Sequence, residues 1–424
     1  MQFPNLVLAL ALVAAIAPAG AQNFPATGPM SLAEAMRLAE TSSTPVRSLE
    51  AQLASVEGAR REAASPFFNN PELSVERTRR RAGTPDGRAN EWSTGIAQSF
   101  EIGGQQSRRR EAAAASLDAL RAEIDDARRQ ARGDAAVRFY AVLAAQRRLQ
   151  IEERSFNLFD RTSQAVAQRR AAGEDTRLDA NVALIEAERA RNAVSRAREQ
   201  MLQARRELAA LLQLPAGAAP EVVGDIEISA RDGAYALDQL QAFAQALPKQ
   251  RALAARHDAA QARLALARAG RLPDVTVGLN VGREGPSDGR ERVTSLTVTL
   301  PLPLFKRNDA AIGEAVTAIT QAEIDRASTL RDSEAQIVRL WSKLESQRER
   351  VQRLQRLMLA ASTDNQQLAD KSRQAGQIGL LEQLIVNRQA LDAERDLVDA
   401  LTDFHMTRIE LENAAGWPQE GSLR

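Results

Sequence analysis

The chain of 424 residues contains no cysteine, which excludes disulfides, thiolate metal sites and a lipidated N-terminal cysteine. Aromatic residues make up only 4% of it, too little bulk for the cores that globular enzymes of this length bury. His257 and His405 are the only histidines; both fall in helical patterns, away from any carboxylate cluster at ligand spacing. No catalytic constellation, nucleotide-binding motif, cofactor site or resident metal site is expected. Positive and negative side chains nearly cancel, 56 Lys+Arg against 55 Asp+Glu, and no basic face is concentrated enough to predict a nucleic-acid partner. Beyond the extreme N-terminus no run of 18 apolar residues occurs, so no later membrane-spanning helix is expected. If the mature chain sits in a membrane, it must do so with strands.

Residues 6–17 are unbroken apolar sequence, followed by Pro18 and the small residues Ala19-Gly20-Ala21. That order predicts a signal peptide over 1–21 and a mature chain from Gln22. Twelve apolar residues are too few to cross a bilayer as a helix.

The mature sequence says everything twice. A helical pattern over 31–64 leads to a short alternating segment at Pro71, then a second at 91–102. A long Ala- and Arg-rich stretch follows to about Arg170, an Ala172-Gly173 interruption, and a last helix ending at Leu214-Pro215. The second half repeats this: a helix over 237–269, segments at Pro273 and 292–300, a long helix over 309–374, Ala375-Gly376, and a helix closing at Trp417-Pro418. Matching punctuation about 200 residues apart predicts two structural repeats, over 22–215 and 237–418, with a linker over 216–236 and a tail over 419–424. The long stretches carry heptad order: Leu330, Ile337, Leu344, Val351 and Met358 recur every seven, with Leu340 and Leu354 between. At about 1.5 Å per residue each would extend roughly 100 Å.

Four segments alternate with period two. Leu73, Val75, Trp92, Ile96, Phe100, Val275, Val277, Leu279, Leu296, Val298 and Leu300 form the apolar set, predicted to face lipid. Thr276, Asn280, Thr297 and Thr299 are predicted to face a lumen. Polar links over 79–90 and 283–290 make two hairpins. Four strands cannot close a barrel, and open edges are forbidden in hydrocarbon, so several copies must contribute; three would supply twelve strands.

In its repeated helix–hairpin–helix order the chain resembles the TolC-type outer membrane factor family over essentially all of its mature length. Asn70-Pro71-Glu72-Leu73, Leu272-Pro273-Asp274-Val275, the segment Leu300-Pro301-Leu302-Pro303-Leu304-Phe305 and the two Ala-Gly interruptions carry the resemblance. The wording around Asn70-Pro71-Glu72-Leu73 and Phe100-Glu101-Ile102-Gly103-Gly104 is most similar to the CzcC-type branch, which serves heavy-metal cation exporters. The resemblance implies a mainly α chain with a small β part and a homotrimer. It implies a twelve-stranded β-barrel among outer-membrane lipid and a coiled-coil helical barrel in the periplasm. It also implies docking to a membrane-fusion adaptor and a resistance–nodulation–division pump of the inner membrane. A general drug or protein-secretion duct of the same fold, and a periplasmic coiled-coil scaffold, are the alternative readings.

The Ala-Gly interruptions lie about 70 residues beyond their hairpins, so both are expected at the end of the tube farthest from the membrane. Ala172, Gly173, Glu174 and Thr176 in one repeat, with Ala375, Gly376, Gln377, Gly379 and Leu380 in the other, form the expected exposed adaptor-docking tips. The charged neighbours Arg169, Arg170, Asp175, Asp179, Asp370, Lys371 and Arg373 are candidates for a gate, either as a charged ring or as ion pairs holding the tip closed.

Overall fold

A computed structural model describes residues 28–81, 88–228, 235–285 and 289–416. The expected signal peptide and Trp417-Pro418 lie outside them. The chain runs α1 (Leu32–Ser42), α2 (Thr44–Ala63), β1 (Glu72–Arg81), β2 (Arg88–Phe100), α3 (Gln105–Ala171), α4 (Arg177–Leu211), and then the second half. That half runs α5 (Leu237–Gln245), α6 (Pro248–Ala269), β3 (Val275–Glu284), β4 (Glu291–Thr299), α7 (Asp309–Arg353), a π-helical turn (Leu354–Leu359), α8 (Ala360–Gln374) and α9 (Leu380–Ala415). Among the described residues no helix is long and apolar enough to cross a membrane.

Helix α3 has 67 residues, about 100 Å at the usual rise. Its one internal glycine has a packing reason. A Cβ on Gly133 would fall 1.6 Å from Nδ2 of Asn413, so glycine lets the C-terminal end of α9 press against α3, where Arg129 donates to the Asn413 carbonyl at 2.6 Å.

Two expected helices are each broken in two. The pattern over 31–64 divides at Ser43, and that over 237–269 at Ala246–Leu247. Apolar periodicity runs through both breaks, but Pro45 and Pro248 each sit in the first turn of the following helix. Proline lacks the N–H that would continue the preceding helix and is preorganised to start a new one. The strands exceed their expected bounds: β1 continues to Arg81 and β2 starts at Arg88, inside what composition marked as loop.

The heptad seam holds through Ile337, Leu340, Leu344 and Val351, all buried, and then slips by one. Met358, expected in the seam, is 42% exposed, and Leu359 packs inward beside Val351 instead. The π turn is the cause: its wider turn absorbs one extra residue, so the inward positions resume at 359, 362, 366 and 369. Leu330, at the other end of the seam, is also partly exposed in the single chain.

The helices pack through four clusters. One joins α1, the middle of α3, the end of α4 and Ile409; others join α5, α7 and α9, and the lower halves of α3, α4 and α9. The linker straps the middle: Met30 and Val222 form a parallel bridge, and Ile226 is buried between α7 and α9. His405 is buried there, stacked on Tyr140 at 4.3 Å with its Nε2 2.8 Å from the Ile226 carbonyl oxygen, while His257 lies partly exposed beside Glu323. Aromatic bulk being scarce, buried charge holds α9 in place. Glu152 of α3 is gripped by Arg148 and by Arg395 of α9, and Glu186 of α4 by Arg189 and by Arg388 of α9.

Candidate channel wall and tip

The four strands make one antiparallel sheet in the order β1-β2-β3-β4. The two hairpins, 200 residues apart in sequence, are joined by β2–β3 pairing that sets Ile96 opposite Leu279 and Phe100 opposite Val275. Directly paired residues share a face, so the register sorts the side chains. Leu73, Val75, Trp92, Ile96, Phe100, Val275, Val277, Leu279, Leu296 and Val298 fall on one face, and Leu300 continues it. Thr276, Asn280, Thr297 and Thr299 fall on the other. Leu73 and Val75 are 74% and 75% exposed: a face this apolar and this open has water as its worst solvent.

The opposite face is small and polar. A Cβ on Gly95 would fall 1.7 Å from the Asn280 side chain, so glycine makes room for an amide on that face. Its described charged side chains are Glu72, Glu76, Glu91, Glu284 and Glu291 against Arg80, which pairs with Glu91 at 3.2 Å. Sequence alternation located both faces, but the excess of carboxylates on one of them emerges only from the register.

At the far end of the helices the two Ala-Gly interruptions are alike in detail. Gly173 and Gly376 have φ of 84° and 71°, the left-handed conformation that ends a helix without a Cβ penalty. The N–H of Glu174 donates to the Arg169 carbonyl at 2.9 Å, and that of Gln377 to the Ser372 carbonyl at 2.8 Å. The following helices then start differently. Thr176 caps α4, its Oγ1 accepting from the Asp179 N–H at 3.1 Å while the Asp179 carboxylate accepts from the Thr176 N–H at 3.0 Å. Hydrogen bonds from Thr176 hold the Asp179 carboxyl below the usual carboxylate range. In the second tip Glu382 accepts from the Gly379 N–H at 2.9 Å, and glycine has no side chain to return the bond.

Ala172, Gly173, Glu174, Thr176, Ala375, Gly376, Gln377 and Gly379 are exposed. Leu380 is not. It is 4% exposed and packs into the lower cluster with Leu384 and Phe159. The exposed leucines are Leu178 and Leu381, 71% and 65% accessible. Leu381 sits one position beyond the expected Leu380, because the first turn of α9 places Leu380 inward.

The charged neighbours divide. Asp175, its side chain only 6% exposed, joins the two tips: Arg373 of α8 donates to it at 3.0 Å, and Arg169 lies 3.3 Å away. Asp370 accepts from Gln383 at 3.0 Å and Asp179 serves the cap. Arg170 and Lys371 are exposed. Among the described residues no group of three or more His, Asp or Glu is arranged to hold a metal ion.

The family described as "Outer membrane efflux protein" matches residues 36–213 and again 240–417, once per half. The chain belongs to that family. It is therefore an outer-membrane channel component of a tripartite efflux system, a passive conduit and not a catalyst, seated in the outer membrane with a long periplasmic helical extension. A curated relative, the "Cobalt-zinc-cadmium resistance protein CzcC" of Cupriavidus metallidurans, is 26% identical over 377 residues, covering 88% of this chain and 85% of its own. The outer membrane channel CmeC of Campylobacter jejuni superposes with a TM-score of 0.75 at 12% identity, covering 99% of this chain and 96% of its own. The open-state MtrE channel of Neisseria gonorrhoeae gives 0.70 at 18% identity, with 92% and 89% covered. These structures share the fold: long helices and a four-stranded sheet per chain.

Proposed function

We propose that this channel is a homotrimer that passes divalent heavy-metal cations outward, received from a periplasmic membrane-fusion adaptor and a resistance–nodulation–division pump of the inner membrane. The observation that carries the cargo is the sheet face opposite the apolar one, which among the described residues carries five glutamates against one arginine. Three chains would close twelve strands with that face inward, and a duct lined by negative charge concentrates cations and repels anions. The similarity to a relative named for cobalt, zinc and cadmium resistance supports the same cargo. Tight binding would slow release, so the conduit needs an electrostatic bias and no metal-holding site.

The tips around Gly173 and Gly376 are the proposed adaptor contact, with Leu178 and Leu381 as their apolar points. The Arg169–Asp175–Arg373 bridge is the proposed latch of the gate. Deleting the gene tests the cargo: growth should fail at lower zinc, cobalt or cadmium, and a plasmid copy should restore it. Loss of drug or detergent tolerance with metal tolerance unchanged would assign the duct to the other substrates.

A further inference from the structure

The apolar face of the sheet ends, toward the hairpin loops, in a row of arginines. Arg77 lies opposite Trp92, Trp92 opposite Arg283, and Arg283 opposite Arg292, so one transverse row crosses all four strands on one face. Arg79 stands one step beyond it on the same face, opposite Asn90. All four arginines are exposed, and among the described residues none of them forms an ion pair. The described side chains of this face include no carboxylate; the hairpin glutamates all belong to the other face. Apart from Arg80, which pairs with Glu91, the described charges are thus segregated by sign through the thickness of the sheet.

The height of the row fits a membrane surface. Eight residues separate Phe100 from Trp92 along β2, about 27 Å at the strand rise, or about 20 Å of height at a tilt of about 40°. The helices leave from the Phe100 end, so the arginine row sits at the opposite, outer margin of the apolar band. Tryptophan beside cations at such a margin suits a headgroup layer. Guanidinium groups there need anions of fixed geometry, and phosphate oxygens accept their paired N–H donors. A neighbouring copy of the sheet supplies no acid, because its own apolar face carries none among the described residues.

We infer that Arg77, Arg283 and Arg292, with Arg79, bind the phosphates of anionic lipid headgroups in the outer leaflet. This rests on the lipid-facing assignment of the apolar face. Full-length trimer purified in detergent is titrated with bisphosphorylated lipid A and with the same lipid enzymatically dephosphorylated, bound copies being counted by native mass spectrometry. The wild type should hold the phosphorylated form at least about tenfold more tightly. The triple variant R77Q/R283Q/R292Q should lose that preference, while R80Q, on the other face, should keep it. Equal binding of the two lipids by the wild type, or an undiminished preference in the triple variant, overturns the inference. Should the triple variant not assemble, R77Q and R292Q singly must each weaken the preference. Failure of the facing assignment itself reads out separately, as equal outer-membrane assembly of L296D and T297D.

Discussion

Asp175 is a small residue with a large reach. It is the one described carboxylate that joins the two tips of a chain, with Arg373 from the second repeat and Arg169 from the first. Arg373→Ala leaves a nearly buried carboxylate with one weaker partner; conductance of the closed channel in planar bilayers should rise, and Arg373→Lys should restore part of the block, since lysine keeps the charge but loses the fork. The cap beside it responds to acid. Hydrogen bonding lowers the Asp179 pKa in the folded state, so its contribution is present above the ordinary carboxylate pKa of about 3.9 and is lost as pH falls through the lower folded value. Thr176→Ala should speed amide exchange in the first turn of α4 at neutral pH, by the equivalent of about 0.5–1 kcal/mol, and leave α9 unchanged.

Among elements, sequence periodicity misreads the π turn as well as the helix breaks at Ser43 and Ala246–Leu247. Leu330 to Val351 recur every seven residues, and Met358 continues the count on paper. Nothing in composition marks a single added residue, because Leu354, Leu357, Met358 and Leu359 are all apolar and a shift by one finds an equally suitable side chain. Inserting one alanine after Met358 should exceed the single residue that the turn takes up and rotate everything below it by about 100°, moving Arg373 away from Asp175. Trimer should still form, but thermal stability and efflux should both fall further than with Met358→Ala, which removes an exposed side chain and keeps the phase. The sheet, by contrast, was legible from alternation alone, since period two has only two faces to choose between. What alternation does not say is which polar residues line up in rows across strands 200 residues apart. That is why the carboxylate excess and the arginine row escape inspection of the sequence.

At the scale of the molecule the duplicated order, the long helices and the position of both interruptions at one end could be read from proline and glycine spacing. The depth of individual tip residues could not, because helix phase in the first turn depends on the cap: Leu380 is buried and Leu381 exposed. Photocrosslinking residues placed at Thr176 and Leu381 should capture the adaptor in exporting cells, and a residue at Ser74 in the sheet should not. Capture from Ser74 alone would invert the proposed orientation. Gly173→Asn should preserve export, since asparagine tolerates positive φ, whereas Gly173→Trp adds bulk where the turn has open space and should block docking while trimers persist.

The two halves share a backbone yet differ at their tips, threonine capping one and glycine the other. Because a covalent linker joins them, half of the junctions around the proposed ring are made at synthesis and only half on encounter. The linked halves meet at an effective concentration fixed by the strap, whatever the protein's abundance. A ring built from such units has a guaranteed alternation of dissimilar sites, and six free half-chains would have to find that order among many. Each proposed adaptor position would thereby be assigned before assembly begins.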